Sequence, residues 1–252
     1  MILDLTGKKA LVTGSTQGIG KAIAAAFLES GAEVFLHGSR DIAKCQRVAE
    51  EFASKGWTKM AYGVADLSKP DGAQNLYAQV KEKLGNIDIL VLNASVQYRN
   101  PWAEIPPEEM ETQLQVNFKS SFTLIQLTEP AMEAKGWGRI LTVGSVQQYK
   151  PHKDMMIYAA SKCAQMSMVQ NLAKQISDKG ITVNNLSPGV IATPRNDAAL
   201  SDPDYSKKVL AGIPCGYAGT AEDCAGAAVL LCSEQGRYIT GTDLIVDGGM
   251  HL

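Results

Sequence analysis

Short apolar segments alternate with longer segments of helical periodicity along most of the chain, and this alternation constrains the fold more than any other feature. The apolar segments lack strict polar alternation, as is typical of strands buried on both faces of a parallel sheet. Predicted strands cover residues 10–13, 33–36, 60–64, 87–92, 139–143, 182–185 and 244–246. Predicted helices cover residues 19–29, 42–54, 72–84, 107–131, 156–177 and 221–232. The pattern predicts an α/β protein built from consecutive β-α-β units.

The length of the chain suits one large α/β domain or two small ones, and the absence of a linker favours a single domain over residues 1–252. The chain has 252 residues, of which 45% are hydrophobic, enough to bury a full core, and no internal repeat or linker divides it. Its 24 basic and 26 acidic residues leave a net charge of -2 with no long run of one sign, so neither nucleic acid nor an anionic membrane is an expected partner. We expect a cytoplasmic protein, because no segment approaches the ~18 apolar residues of a membrane span and the first residues do not resemble a signal peptide.

The cysteines and histidines show no metal-binding pattern. The three histidines stand alone in sequence, and no C-x-x-C pair occurs. We therefore expect no metal site. Five widely spaced cysteines are predicted to be free thiols, namely Cys45, Cys163, Cys215, Cys224 and Cys232.

A glycine-rich turn joins the first predicted strand directly to the first predicted helix. Glycines permit a tight turn and let backbone N–H groups and the helix N-terminus approach a pyrophosphate. A Walker A loop is excluded, because Ser15 stands where its first glycine should be and Ala22 replaces the Ser or Thr that holds magnesium. The turn predicts dinucleotide binding by Gly14, Ser15, Thr16, Gln17, Gly18, Ile19 and Gly20.

The turn reads T-G-x-x-x-G-x-G, which resembles the glycine motif of the short-chain dehydrogenase/reductase family. Further family landmarks follow in order along the whole chain: Asp66, Asn93, Asn117, Ser145, Tyr158 with Lys162, Pro188 with Gly189, and Asp247-Gly248-Gly249. The resemblance implies a single-domain Rossmann fold, a doubly wound parallel seven-stranded sheet of order 3-2-1-4-5-6-7 with helices on both faces. One landmark departs from the family, since residues 92–95 read Leu-Asn-Ala-Ser instead of Asn-Asn-Ala-Gly. Ser95 thereby adds a side chain where backbone is expected to pass close to the cofactor.

The pattern Tyr-x-x-x-Lys, which the family uses for catalysis, occurs three times, in the pairs Tyr77/Lys81, Tyr149/Lys153 and Tyr158/Lys162. The first pair lies within a predicted helix far from any strand exit. The second contains Pro151, which is incompatible with a regular helical pairing. Only the third follows a strand exit that bears a serine, Ser145, and shares one helix face. Its context therefore selects it as the catalytic pair.

A tyrosine with an ordinary pKa of about 10 is a poor acid-base group near neutral pH unless its phenolate is stabilised, and an ammonium one helical turn away stabilises it. The resemblance implies that Tyr158 is the general acid in carbonyl reduction and the base in alcohol oxidation. It further implies that Lys162 lowers the pKa of Tyr158 and binds the nicotinamide ribose. Ser145 would hold the substrate oxygen, and Asn117 would support a water relay through Lys162.

The end of the second predicted strand favours NADP(H), with NAD(H) as the alternative cofactor. Residues 37–40 read His-Gly-Ser-Arg, without the carboxylate that would take a ribose 2′-hydroxyl. Arg40, helped by Ser39, would bind a 2′-phosphate through charge-assisted contacts; the alternative is an arginine merely exposed to solvent. The resemblance assigns Asp66 to the adenine, and it places further residues along the cofactor: Leu67, Asn93, Pro188, Gly189, Ile191 and Thr193.

The sequence defines the substrate pocket less clearly than the cofactor site. Residues 188–220 contain four prolines, follow a strand end, and form a candidate substrate lid. Substrate contacts are expected from Ser145, Gln147 and Tyr158. Fold analogy adds Val96, Gln97, Tyr149, Met155, Arg195 and Asn196 to the pocket. This largely polar set suits a small polyol, sugar or hydroxy ketone.

The sequence thus predicts an NAD(P)-dependent oxidoreductase that interconverts a carbonyl and a secondary alcohol. One alternative is a 3-oxoacyl thioester reductase, whose carrier-borne substrate would favour a basic entrance patch that is not evident in sequence. Another is a nucleotide-sensing regulator that binds the cofactor without turnover; such proteins lack the Tyr/Lys pair. The resemblance also implies a homotetramer built from the two long helices and the C-terminal strand.

Overall fold

The computed structural model describes residues 3–252 and contains one parallel sheet of seven strands. The strands are β1 (Lys9–Val12), β2 (Glu33–Gly38), β3 (Met60–Val64), β4 (Ile89–Leu92), β5 (Gly138–Val143), β6 (Ile181–Pro188) and β7 (Asp243–Val246). Their order in the sheet is β3-β2-β1-β4-β5-β6-β7, which confirms the predicted topology. The order in which successive strands are added reverses between β1 and β4, and folds of this kind bind ligands there, beyond the carboxyl ends of the strands.

Helices cover both faces of the sheet. They are α1 (Gly18–Glu29), α2 (Ile42–Ser54), α3 (Gly72–Lys83), α4 (Pro107–Leu114), α5 (Ser120–Lys135), α6 (Met156–Ile176), α7 (Asp197–Ser201), α8 (Pro203–Ala211) and α9 (Ala221–Cys232). Short 3-10 turns lie at Trp102–Glu104, Val146–Gln148, Ser177–Lys179 and Glu234–Gly236. One apolar core joins α1, α2 and α9 to the sheet, and a second joins α3, α5 and α6 to its other face. Since central strands such as β4 are buried throughout, both of their faces are apolar.

The helix predicted at residues 107–131 differs in its interior. It consists of α4, a π-helical segment at Gln115–Lys119, and α5, which continues to Lys135. The wider π turn carries Asn117, whose amide binds the backbone of Val96 on the loop after β4. A π-bulge inside an α-helix frequently marks a functional site.

The segment at residues 188–220 is more regular than its prolines suggest. Strand β6 continues to Pro188, and the segment then contains α7 and α8. Pro203 occupies the first turn of α8, where its missing N–H costs nothing, and Asp202 caps the same helix with its side chain. The prolines therefore delimit structured elements.

Two findings bear on environment. None of the helices within residues 3–252 is both long and apolar enough to span a bilayer. The five cysteines are all unpaired, and three of them, Cys45, Cys224 and Cys232, are buried.

Candidate active site

A crevice of about 900 Å3 runs along the edge of the sheet where the strands end. Its walls come from the loops that follow β1, β2, β3, β4, β5 and β6, and from α6. Most of the predicted cofactor residues line it: Gly14, Thr16, Gln17, Gly18, Ile19, Gly20, Ser39, Arg40, Asp66, Leu67, Asn93, Tyr158, Lys162, Pro188, Gly189, Ile191 and Thr193. Within residues 3–252, no group of three or more His, Cys, Asp or Glu side chains could hold a metal ion.

The glycine turn leaves the N-terminus of α1 open to the crevice. Gly14 and Gly18 adopt φ angles of +65° and +54°, which favour glycine over any residue with a side chain. Gln17 precedes α1 without capping it through its side chain, so the first N–H groups of the helix remain available to an anion. A methyl group on Gly20 would collide with the amide of Asn93 and lie 2.6 Å from the Gly14 carbonyl oxygen. The turn thus has the geometry of a phosphate cradle.

The side chains of His37, which is buried, and Asn93, which is partly buried, hold this turn in place. Gly14 N donates to Nδ1 of His37 over 3.1 Å, and Nε2 of that ring donates to the Ala65 carbonyl over 2.9 Å. Asn93 donates through Nδ2 to the carbonyl oxygens of Thr13 and Gly14, over 2.9 and 3.1 Å. Burial lowers the pKa of His37 to about 4, so the ring is neutral near pH 7 and can accept the Gly14 bond.

Ser15 is the exception among the predicted turn residues. Its side chain is fully buried, and Oγ accepts a 2.9 Å hydrogen bond from His37 N. Ser15 N in turn donates to the His37 carbonyl over 3.0 Å. Because both groups bind strand β2, the structure does not bring Ser15 to the crevice, and it supports the turn from behind.

An ion pair joins two residues predicted at the adenosine end. Arg40 donates through Nε and Nη2 to Oδ2 of Asp66, over 3.0 and 2.7 Å. Ser68 donates to the other carboxylate oxygen through its backbone N and its Oγ. Partial burial opposes ionisation, yet the hydrogen bonds from Ser68 and Arg40 hold the pKa of Asp66 at about 2. Arg40 is thereby directed into the crevice. The neighbouring Asp41 caps α2, since its side chain accepts a hydrogen bond from Lys44 N.

The predicted catalytic pair lies at the floor of the crevice. Tyr158 and Lys162 occupy one face of α6, with Lys162 Nζ 5.7 Å from the centroid of the Tyr158 ring. Nζ donates to the Val143 carbonyl over 2.7 Å and to Oε1 of Gln165 over 2.9 Å. Burial lowers the pKa of Lys162 to about 7, and the positive charge of Arg195 adds to this effect.

Ser145 follows β5 and opens the short turn at Val146–Gln148. Its Oγ accepts a 3.2 Å bond from Gln147 N, which leaves the hydroxyl hydrogen free to donate into the crevice. Ser145 N donates to Oε1 of Gln148 over 2.9 Å, and Gln148 Nε2 donates to Asp243 on β7. Backbone and side chain of Ser145 are therefore both held in one orientation.

Asn117 lies behind the catalytic pair, fully buried, and does not line the crevice. Its Nδ2 donates to the Val96 carbonyl over 3.0 Å and to Ser161 Oγ over 3.1 Å, while Oδ1 accepts from Val96 N. The side chain thus ties the π turn to the β4 loop and to α6. Its backbone carbonyl, in contrast, is connected to Lys162 through hydrogen bonds.

A chain of side chains links that carbonyl to Lys162. Ser121 Oγ donates to the Asn117 carbonyl over 3.2 Å, and Gln165 Nε2 donates to Ser121 Oγ over 3.3 Å. Gln165, completely buried, accepts from Lys162 through its other amide atom. Sequence reasoning missed Gln165, although a glutamine three residues after Lys162 on the inward face of a helix was a usable signal.

The two rejected Tyr-x-x-x-Lys pairs do not line the crevice. Tyr149 donates through its hydroxyl to Oδ2 of Asp243 over 2.6 Å. Burial, and then the Asp243 carboxylate, raise the pKa of Tyr149 to about 12. The structure therefore does not support Tyr149 as a pocket residue, because its hydroxyl is committed to a carboxylate elsewhere. Tyr77, on α3, is half-buried against the second core.

The substrate end of the crevice contains the other residues predicted for it, namely Val96, Gln97, Ser145, Gln147, Met155, Arg195 and Asn196. It also contains residues that sequence reasoning missed, namely Tyr98, Arg99, His152 and Tyr205. The basic members come from three separate loops, so no run of basic residues announces them in sequence.

Comparison with known proteins agrees with this geometry. The family profile described as Enoyl-(Acyl carrier protein) reductase matches residues 14–251. Glucose 1-dehydrogenase of Gluconobacter oxydans is 36% identical, covering 98% of this chain and 92% of the relative. A 3-oxoacyl-(acyl-carrier-protein) reductase of Haemophilus influenzae is also 36% identical, covering 98% and 100%. A gluconate 5-dehydrogenase of Burkholderia cenocepacia, solved with NADP and tartrate, superimposes with a TM-score of 0.92 at 30% identity, covering 99% of this chain and 97% of that one.

These matches span nearly the full chain at identities that define a family. The chain belongs to the short-chain dehydrogenase/reductase family. Its reaction class is that of an NAD(P)-dependent oxidoreductase that interconverts an alcohol and a carbonyl group.

Proposed function

We propose that this chain is an NADP(H)-preferring dehydrogenase/reductase that acts on a secondary alcohol or ketone of a small polar molecule, such as a polyol, a sugar or a hydroxy ketone. One observation carries the proposal. Tyr158, Lys162 and Ser145 all line one crevice, which an uncapped helix N-terminus and a glycine turn line as well. A dinucleotide bound at the turn would extend toward the catalytic group.

The residues present fit such a cofactor. The turn from Gly14 to Gly20 and the first N–H groups of α1 would hold the pyrophosphate, and Asp66 with Arg40 would hold the adenosine end. The bound nicotinamide supplies the hydride in reduction and accepts it in oxidation. The protein's contribution is to orient the substrate carbon and to move the accompanying proton.

Three side chains of this chain carry out the proton transfer. In reduction, Ser145 donates a hydrogen bond to the substrate oxygen and fixes its position. Tyr158 donates its phenolic proton to the same oxygen, and in oxidation the phenolate takes that proton back. Lys162, buried beside the ring, stabilises the phenolate by its charge. Gln165 and Val143 hold the ammonium through its hydrogens.

The preference for NADP(H) rests on the charges at the end of β2. Arg40, Lys44 and Ser39 line that end of the crevice, while Asp41 is bound to the backbone of α2. A 2′-phosphate would find two cations there. We expect Arg40→Ala to raise the KM for NADPH more than the KM for NADH, with Arg47→Ala, outside the crevice, as the control. Equal changes for both cofactors would contradict a 2′-phosphate site.

A polar substrate is supported by an unpaired acceptor. Oε1 of Gln147 is buried beside the crevice and has no hydrogen-bond partner among the described residues. A buried amide oxygen without a partner costs free energy, which a donor from a bound ligand recovers. Substrate hydroxyl groups are such donors.

One observation supports the alternative function of a 3-oxoacyl thioester reductase, namely the 36% identity to the 3-oxoacyl-(acyl-carrier-protein) reductase of Haemophilus influenzae. Assays of NADPH oxidation with an acetoacetyl thioester, run against polyols, sugars and hydroxy ketones, separate the two functions. A regulator that binds the cofactor without turnover is disfavoured, because it would have no need of the Tyr158/Lys162 pair that lines the crevice.

The central test is Tyr158→Phe, which removes one oxygen atom and keeps the ring. We expect turnover to fall below detection, while NADPH binding measured by fluorescence titration stays within about two-fold of the wild type. Tyr238→Phe, at a tyrosine that is 99% exposed, is the control and should leave both unchanged. Undiminished turnover in Tyr158→Phe would refute the assignment.

We further propose that residues 1–252 act as one cofactor-binding and catalytic unit with a substrate lid at residues 188–220, in a cytoplasmic homotetramer. The five free thiols support a reducing compartment. Exposed Met110 on α4, Phe122 on α5 and Met156 on α6 support subunit packing through these helices. Light scattering coupled to size-exclusion chromatography tests the tetramer.

A further inference from the structure

The substrate end of the crevice has a marked charge. Arg99, from the loop after β4, and Arg195, from the loop after β6, both line it. Neither guanidinium forms an ion pair with a carboxylate among residues 3–252. The acidic residues that line the crevice are Asp41 and Asp66, and both lie at the adenosine end beside Arg40. The substrate end of the crevice is therefore lined by two arginines that form no ion pair and by no acidic side chain among the described residues.

Arg195 is held in place by a residue that departs from the family pattern. Its Nη2 donates to the backbone oxygen of Ser95 over 2.8 Å and to Ser95 Oγ over 2.9 Å. A guanidinium has five N–H donors, so its remaining donors can still take a planar anion side by side. Ser95 therefore orients the side chain without neutralising it.

His152 completes this wall from the loop before α6. Burial, and then the charge of Arg99, lower the pKa of His152, so the ring is neutral near pH 7. Its Nδ1 accepts a hydrogen bond from Asp154 N, which leaves Nε2 as a neutral donor. The charge at this end thus comes from the arginines.

We propose, resting on the proposed function, that Arg195 and Arg99 receive a carboxylate of the substrate, and that the substrate is a small polyhydroxy acid or the corresponding keto acid. The hydroxyl groups of such a molecule would meet the unpaired Oε1 of Gln147. Its reacting carbon would lie beside Ser145 and Tyr158.

The position of Arg195 favours a small acid over a carrier-bound thioester. Arg195 is close enough to Lys162 to depress the pKa of that ammonium. An anion on Arg195 would lie in the same crevice as Tyr158 and Ser145, whereas the phosphate of a carrier lies at the far end of a long pantetheine arm. A bound carboxylate would also cancel the repulsion of Lys162 by Arg195 and favour the ammonium form that Tyr158 needs.

The test compares each acid with its own primary amide, which keeps the shape and removes the charge. Gluconate and gluconamide, and the matched pairs of four- and five-carbon aldonic acids, are assayed with NADP+ in wild type, Arg195→Gln, Arg99→Gln and Arg237→Gln. Arg237 is exposed outside the crevice and serves as the matched control. We expect the wild type to favour at least one acid by about ten-fold or more in kcat/KM, as hydrogen bonds to a charged group allow.

Each crevice substitution should remove most of that preference, and Arg237→Gln should retain it. Equal use of acid and amide by the wild type, or an unchanged preference in both crevice variants, overturns the proposal. A weakened Kd for NADPH in Arg195→Gln with the preference intact would assign Arg195 to the cofactor and also overturn it.

A binding measurement separates this proposal from the proposed function. Calorimetric titration of acid and amide into NADP+-loaded Tyr158→Phe reports recognition without turnover. Tighter binding of an acid, lost in the double variant with Arg195→Gln, supports the carboxylate site. Binding of the amide as tight as that of every acid overturns it. Failure of the wild type to oxidise or reduce any substrate in the panel, with clear acid binding, would count against the proposed function alone.

Discussion

The two ends of the crevice are built differently. At the cofactor end, backbone groups and buried side chains from adjacent strands bind one another, as when Gly14 donates to His37 and Asn93 donates to Thr13. At the substrate end, Arg99 and Arg195 are exposed side chains on loops from distant parts of the chain. The cofactor end is therefore a rigid site held by its own hydrogen bonds, whereas the substrate end consists of side chains that can change without altering the fold. This division explains how one fold supports many substrates.

The substitution Gly20→Ala is the strongest test of whether the cofactor end is rigid. The added methyl group would press on the Asn93 amide and on the Gly14 carbonyl, and overpacking of this kind costs about 1–3 kcal/mol. We expect the Kd for NADPH to rise by about ten- to hundred-fold, because the phosphate-binding turn must shift. Fluorescence titration measures it.

Gly226→Ala is the matched control on α9, since nothing lies within 4 Å of the methyl group it would add. It should leave cofactor binding unchanged and raise stability slightly, as expected for alanine in an exposed helix position. If Gly20→Ala binds the cofactor as tightly as the wild type does, the cofactor end tolerates movement. The proposed difference in rigidity between the two ends would then be wrong.

Acid should weaken the cofactor end through His37. Its pKa is lowered by burial from 6.5 to about 4, so the unfolded chain binds a proton more readily than the folded one between these values. We expect the free energy of unfolding to be unaffected by His37 above about pH 6.5 and to decrease as the pH falls below this value. Below pH 4 the decrease caused by His37 should reach about 3 kcal/mol. Urea unfolding across this range measures the slope.

His37→Gln keeps an acceptor and a donor but has no titratable ring. Between pH 6.5 and pH 4 we therefore expect its free energy of unfolding to decrease by about 3 kcal/mol less than that of the wild type. Identical slopes for the two proteins would mean that His37 does not remain neutral in the folded state.

Gln165 is buried behind the crevice and accepts a hydrogen bond from Lys162, so it tests the catalytic group that lies between the two ends. In Gln165→Leu, Lys162 loses one of its acceptors, so we expect kcat to fall about ten-fold, the cost of one hydrogen bond to a charged group. Loss of this acceptor should also lower the pKa of Lys162 further and move the alkaline limb of kcat/KM to lower pH. Gln175→Leu, exposed on the same helix, is the control. A drop in kcat with an unmoved pH profile would indicate a structural role only.

The cofactor end could be predicted from sequence because its signals are local. The glycine turn, the strand before it and the helix after it lie within about twenty consecutive residues, and the Tyr158/Lys162 pair needs only one helical turn. Two details were still missed there. Ser15 faces β2, because a serine at a buried turn can satisfy a strand backbone, and the π turn at Asn117 has no local propensity signal.

The substrate end could not be predicted in the same way because its parts come together only in the folded chain. Arg99, His152 and Arg195 belong to three loops, and none of them carries a motif. Tyr149 shows the opposite error, since its position before α6 suggested the pocket, while Asp243 on β7 draws its hydroxyl away. Pairings between distant segments decided each of these cases.

The mildest test addresses Ser95, which lines the crevice and binds Arg195 at the substrate end. Ser95→Ala removes the Oγ that accepts from Arg195 but leaves the backbone oxygen that accepts from the same nitrogen. We expect the KM for the substrate to rise by about three- to ten-fold, as one hydrogen bond of about 1 kcal/mol allows, while the KM for NADPH stays constant. Ser95→Gly should behave like Ser95→Ala if the hydroxyl is what matters. If the KM for NADPH changes as much as the KM for the substrate, or more, Ser95 belongs to the cofactor site. The substrate end of the crevice would then begin at Arg195.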